Sequence, residues 1–190
     1  TAMLVAVPII FQPELRRALE RVGRTGLRGP SGLRAAEELT ESLVRACRRL
    51  SDRRYGGLIV IERETGLQEY ADTGVEIDAT VSTELLVSIF FPNSPLHDGA
   101  VILRDNRVVA ASCVLPLSDA TGTGQSLGTR HRAALGITER TDALSIAVSE
   151  ETGIISVASN GRLMRNLDES KLRHLLETLR FSSPFSTPRL

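Results

Sequence analysis

Three short segments of this chain carry side chains that could do chemistry together. The first, PNSPLHDGA (Pro92–Ala100), sets His97 and Asp98 side by side ahead of an apolar run. An imidazole and a carboxylate both suit a divalent cation, and a carboxylate alone suits Mg²⁺. Gly99 has no Cβ, so a ligand can approach the main chain there. HDG is equally an ordinary turn before a strand. The second, LGTRHRAALG (Leu127–Gly136), sets Arg130 and Arg132 around His131, behind Thr129, a residue able to cap the helix that follows. Free N–H groups at a helix start attract anions, and guanidinium forks match phosphate oxygens. The same residues also make a solvated basic turn, but Gly122, Gly124 and Gly128 lead straight into them. The third, SEETG (Ser149–Gly153), offers Glu151 as an acceptor for an exocyclic amine such as that of adenine. In isolation it is an exposed acidic turn.

Taken together, the segments imply a nucleoside triphosphate site. One supplies metal ligands, one grips phosphates, one reads a base. Neither a GxxxxGK(S/T) phosphate loop nor a GxGxxG fingerprint occurs, so the common nucleotide folds do not explain it. A metal-dependent phosphohydrolase would bring more carboxylates or histidines to the metal than His97 and Asp98.

Strands and helices must position these segments. Ser31 is expected to cap a helix whose stripe is Ala36, Leu39, Leu43, Ala46, Cys47 and Leu50. GLIVIE (Gly57–Glu62) reads as a buried strand, and a helix follows from Thr80 or Ser82 to Pro92. Ala100–Leu103 and Arg107–Leu115 form a hairpin about Asp105-Asn106. Ser118–Gly128 is a polar, Gly-rich loop, and Thr129–Ile137 is helical. Ala143–Val148 and Ile154–Val157 are two more strands, and Asp168 caps a last helix. This irregular alternation predicts an α/β fold with a mixed central β-sheet flanked by α-helices.

The 190 residues fit one domain with appendages, and 42% hydrophobic residues supply a real core. With 23 basic and 23 acidic residues the net charge is zero, which disfavours DNA or RNA as partners. Cys47 and Cys113 form no CxxC pair and read as buried thiols. The apolar run Met3–Phe11 is far shorter than the ~20 residues that cross a bilayer. Arg16, Arg17, Arg21 and Arg24 follow it, as at a cytoplasmic exit from a membrane; a buried terminal element reads the same way. The expected division is an anchor end and linker at 1–30, a catalytic domain at 31–180 and a disordered tail at 181–190.

DGA at Asp98–Ala100 and RHR at Arg130–Arg132 resemble the paired signature motifs of diadenylate cyclase domains. SPLHDGAVI, the hairpin, LGTRHRAALGI and VSEETG follow in the family's order and spacing. FQPELRRALE (Phe11–Glu20) resembles the segment after the last transmembrane helix of the membrane-bound subclass. The resemblance covers about Phe11–Leu179.

The resemblance implies the diadenylate cyclase fold and the condensation of two ATP into cyclic di-AMP, with release of pyrophosphate, across a face-to-face homodimer. Asp98 would bind Mn²⁺ or Mg²⁺ and activate the attacking 3′-hydroxyl, with His97 as a second metal ligand. Gly99 would let the nucleotide pass closely. Thr129, Arg130, His131 and Arg132 would hold phosphates, with Ser149 beside them. Leu115 would contact adenine, with Glu151 near the base edge. Val114 stands where some relatives carry an aromatic residue, which removes a stacking surface. The resemblance also implies a place at the cell membrane, with the catalytic domain facing the cytoplasm. A regulatory membrane protein and phosphoglucosamine mutase are its implied partners.

Overall fold

The structure, a computed structural model, describes residues 30–119 and 128–181. The expected anchor and linker before Pro30, the glycines Gly122 and Gly124, and the tail beyond Phe181 lie outside the described residues. The chain divides into two compact units, Thr1–Glu38 and Leu39–Leu190. The described part of the first is the opening of a helix; the site belongs to the second.

Helix α1 spans Pro30–Arg53. Proline's fixed φ suits a first helical turn, so Ser31 falls inside the helix and not ahead of it as expected. Leu39, Leu43, Ala46, Cys47 and Leu50 are buried at the three- and four-residue steps of one stripe.

Seven strands form one sheet. They are β1 (Gly57–Ile61), β2 (Val75–Thr80), β3 (Ala100–Arg104), β4 (Arg107–Cys113), β5 (Leu144–Val148), β6 (Ile155–Ser159) and β7 (Arg162–Met164). Their order is β2-β4-β3-β1-β5-β6-β7. β1 and β3 run parallel and every other pairing is antiparallel. The sheet is therefore mixed, as the alternation of elements predicts.

Central strands covered on both faces read as continuous apolar runs, and every residue of β1, β5 and β6 is buried. Successive side chains point to opposite faces. Ile59, Ile61, Val101 and Leu103 enter one core with α1, α3 (Thr83–Ile89) and α5 (Glu169–Phe181). Leu58, Val60, Ala100 and Ile102 enter the other with α2 (Gln68–Ala71) and α4 (Thr129–Arg140). Local signals hold the ends. Ser82 Oγ accepts from Leu85 N at 3.2 Å at the start of α3. Asp168 Oδ1 accepts from Lys171 N at 2.8 Å at the start of α5. Asp105 and Asn106 join Arg104 to its register partner Arg107.

Three elements depart from expectation. β2 is an edge strand whose Val75, Glu76, Asp78 and Thr80 are exposed, so it shows no apolar run. A bulge between Glu76 and Ala79 breaks its register. β7 has three residues and α2 four, too few to show a period.

Candidate active site

A cavity of about 760 Å³ opens where the start of β3, the end of β4, the start of α4 and the β5–β6 turn meet. Small-molecule sites typically occupy about 300–1,000 Å³. Its floor is apolar, with Leu58, Cys113, Leu115, Ala133 and Val148. Burial pushes the Cys113 thiol up to about 11, so this sulfur is a protonated apolar contact at neutral pH. Leu115 is buried, whereas Val114 is 68% exposed at the rim.

On one wall, Asp98 and Gly99 precede β3. Gly99 has φ +107°, and a Cβ there would lie 2.7 Å from the Ser112 carbonyl carbon. The neighbouring strand by itself thus requires glycine here, a cause separate from the ligand approach expected of it. Ser112 Oγ donates to the Asp98 carbonyl at 2.6 Å. That bond fixes the main chain while the Asp98 side chain stays exposed on the cavity wall. His97 does not line the cavity. Its Nδ1 meets the Ser94 carbonyl at 2.6 Å. A carbonyl only accepts, so Nδ1 carries the proton there and Nε2 keeps the ring's lone pair.

α4 supplies the cationic wall. Its N-cap is Gly128, with no side-chain cap, so Thr129 is the first helical residue and not the cap expected. Amide N–H groups at such a start favour anions. Arg130 Nη1 donates to Glu150 Oε2 at 2.6 Å. His131 is buried on the cavity side, with Nε2 3.2 Å from Ser156 Oγ. Burial first, and then the charge of Arg165, hold its imidazole below the usual histidine range. A neutral ring at pH 7 can donate one hydrogen bond but brings no charge. Arg132 turns away: its Nε donates to the Ser118 carbonyl at 3.2 Å, and Ser118 N donates back to the Arg132 carbonyl at 3.0 Å. Successive helical residues step about 100°, so three in a row cannot all face one ligand.

The third wall is the β5–β6 turn, with Ser149, Glu150, Glu151 and Thr152 on the cavity. Gly153 N donates to the Ser149 carbonyl at 2.9 Å, and Ser149 Oγ accepts from Thr152 N at 3.2 Å. Ser51 Oγ, near the end of α1, donates to the Gly153 carbonyl at 2.6 Å and holds the turn from behind.

Of the predicted residues, Asp98, Gly99, Leu115, Thr129, Arg130, His131, Ser149 and Glu151 share this cavity; His97 and Arg132 do not line it. Sequence reasoning missed Glu150, Ser112 and Arg165, which do. Glu150 stood beside Glu151 with nothing to favour either. Arg165 follows β7, a strand too short to be seen.

Among the described residues, no group of three or more His, Cys, Asp and Glu side chains could hold a metal by itself. The donors present nevertheless fit a hard divalent cation. Mg²⁺ is commonly held by one or two carboxylates together with substrate phosphates. A ring nitrogen donating to a backbone carbonyl, as His97 Nδ1 does, is the usual support of a ligating histidine.

The family described as DisA bacterial checkpoint controller nucleotide-binding matches residues 44–163. The chain belongs to this family. It is 52% identical over 176 residues to the cyclic di-AMP synthase CdaA of Bacillus subtilis, a match covering 91% of this chain and 64% of that protein. It is 48% identical over 175 residues to a diadenylate cyclase of Listeria monocytogenes, covering 90% and 64%. The chain thus spans somewhat under two thirds of the length of these curated relatives. Among solved structures, DacA of Staphylococcus aureus, a double mutant, superposes with TM-score 0.74 at 48% identity, covering 77% of this chain and 97% of that one. Every one of the cavity residues named above from Leu58 to Ser149–Thr152, apart from Arg165, falls within the stretch that matches the nucleotide-binding family.

Proposed function

We propose that this protein is a diadenylate cyclase that condenses two ATP molecules into cyclic di-AMP and releases two pyrophosphates. The observation that carries the reading is the meeting of Asp98, the start of α4 and the Ser149–Thr152 turn in one cavity. The names of the relatives support it.

Each 3′-hydroxyl oxygen bonds to the α-phosphorus of the other ATP, and the bond from that phosphorus to pyrophosphate breaks. One cavity takes one ATP, so two subunits face each other to align the reactants. Asp98 takes the hydroxyl proton. The start of α4 and Arg130 bind the phosphates, and His131 donates to them as a neutral group. Leu115 and the apolar floor bind adenine, with Glu151 accepting from its amine. Arg132 acts at one remove, because its Nε tie to Ser118 holds the chain entering the site. Asp98 and its chain neighbour His97, which stands outside the cavity lining, would hold Mn²⁺ or Mg²⁺, and that cation would supply neutralisation of the triphosphate.

The protein sits at the cell membrane, catalytic domain toward the cytoplasm, in this reading. Its support is the apolar run at Met3–Phe11 with the arginines after it. Among the described residues no helix is long and apolar enough to cross a membrane. A regulatory membrane protein and phosphoglucosamine mutase are partners proposed on the resemblance alone.

The test is incubation of the chain with ATP and Mn²⁺, or Mg²⁺, and mass-resolved analysis of products. Cyclic di-AMP is expected from the parent, with activity per subunit rising with protein concentration. Asp98→Asn should fold and bind ATP yet form no product. ADP and phosphate from the parent, or full activity in Asp98→Asn, would overturn the reading.

A further inference from the structure

Arg130 lies in an unusual seat. Gly56, between α1 and β1, is buried, and a Cβ there would lie 2.7 Å from both Cζ and Nη1 of Arg130 and 2.9 Å from Glu150 Oε2. The guanidinium therefore rests on bare main chain. Its Nη1 is taken by Glu150 at 2.6 Å, while its Nε is buried with no hydrogen-bond partner among the described residues. The side chain of Arg130 is 19% exposed and that of Glu150 is 62% exposed. An ion pair so open on one side adds little to stability, so its consequence is geometric. Two constraints, the flat seat and the single bond to Nη1, fix the rotation of a planar fork that could otherwise turn freely.

We propose that Gly56 and Glu150 are positioning residues for phosphate binding: together they hold the Arg130 guanidinium in the one orientation that meets the nucleotide's phosphates. The inference rests on the nucleotide-binding part of the proposed function, and deepens it. Neither residue need touch the nucleotide to act. Any side chain at position 56 lifts the fork off its seat, and loss of the Glu150 carboxylate frees it to rotate.

The test is calorimetric binding of ATP with Mn²⁺ to the parent, Gly56→Ala, Glu150→Ala and Arg130→Ala, and to each of the first two substitutions combined with Arg130→Ala. Gly56→Ala should weaken ATP binding about tenfold, the scale of one charged hydrogen bond. Glu150→Ala should weaken it by about threefold or more. In the Arg130→Ala background both effects should shrink to within about twofold, because the residue they act through is gone. A general structural defect would persist in that background. Parent-like binding by both single variants, or equal losses with and without Arg130, overturns the proposal. If Gly56→Ala fails to fold, the surface variant Glu150→Ala decides by the same cycle. A parent that binds ATP but makes no cyclic di-AMP removes the cyclase reading and leaves this inference to be judged on the affinities.

Discussion

Replacing Gly99 by Ala separates two causes for one glycine. The residue sits at φ +107°, a conformation that a Cβ disfavours. An unusual backbone angle in a non-glycine residue costs on the order of 1–3 kcal/mol. The added methyl would also meet three atoms of β4: the Ser112 carbonyl carbon at 2.7 Å, the Cys113 carbonyl oxygen at 2.9 Å and the Cys113 nitrogen at 3.0 Å. These are main-chain atoms and cannot rotate away. Overpacking of this kind costs about 1–3 kcal/mol more. Ser112 is itself held at φ +57°, so the strand has little room to retreat. The sum is roughly 2–6 kcal/mol, or a fall of about 4–24 °C in melting temperature for a domain of this size. Urea unfolding should show a lower midpoint at unchanged slope, the mark of lost stability without a new denatured state. If glycine were needed only for close passage of the nucleotide, Gly99→Ala would unfold like the parent and lose ATP binding alone. That outcome would refute the backbone account.

Other consequences can be checked in parallel. His131, held below its usual range, stays neutral in the fold while the unfolded chain takes up a proton near pH 6.5. Its contribution is complete above about pH 6.5 and is lost as pH falls from there through the folded value. His131→Asn should flatten the acid side of a urea-midpoint profile; identical profiles would sink the assignment. Val114→Tyr, at a position 68% exposed on the rim, should leave stability nearly unchanged and tighten ATP binding by about 2- to 10-fold through adenine stacking. Unchanged affinity would mean the base does not lie over that residue. Chelating divalent cations should weaken ATP binding by about tenfold or more, read by calorimetry with and without EDTA. Equal affinities would show that the triphosphate is neutralised by the protein alone.

How much of this was legible in the sequence follows from burial. β1, β5 and β6 are buried throughout, so their apolar runs name them without ambiguity. β2 is an edge strand of Val75, Glu76 and Asp78, held to β4 by main-chain pairing that leaves no pattern in side-chain type. At the site, DGA, RHR and SEETG stood out as polar and glycine-bearing islands between apolar runs. Their meeting is a product of topology, because β1 lies between β3 and β5 in the sheet and brings the two distant turns to one side. What composition could not give was direction. Arg130 and Arg132 are the same residue type two positions apart, and helical rotation alone sends one to the cavity and the other to Ser118.

The charges on the cavity wall carry that point into mechanism. Among the described lining residues, Arg130 and Arg165 face Asp98, Glu150 and Glu151, so carboxylates outnumber guanidiniums. Such a wall does not attract a triphosphate by net charge, and the sequence as a whole, at formal net zero, adds no overall positive charge to help. Two local devices can reverse the balance. The start of α4 offers N–H groups with a partial positive charge of about half a unit, and a divalent cation held by Asp98, as proposed, would turn a repulsive carboxylate into a ligand. In the proposed arrangement Glu150 acts through Arg130, whose Nη1 it occupies: a carboxylate that cannot favour phosphate by itself would help to bind it by fixing the guanidinium.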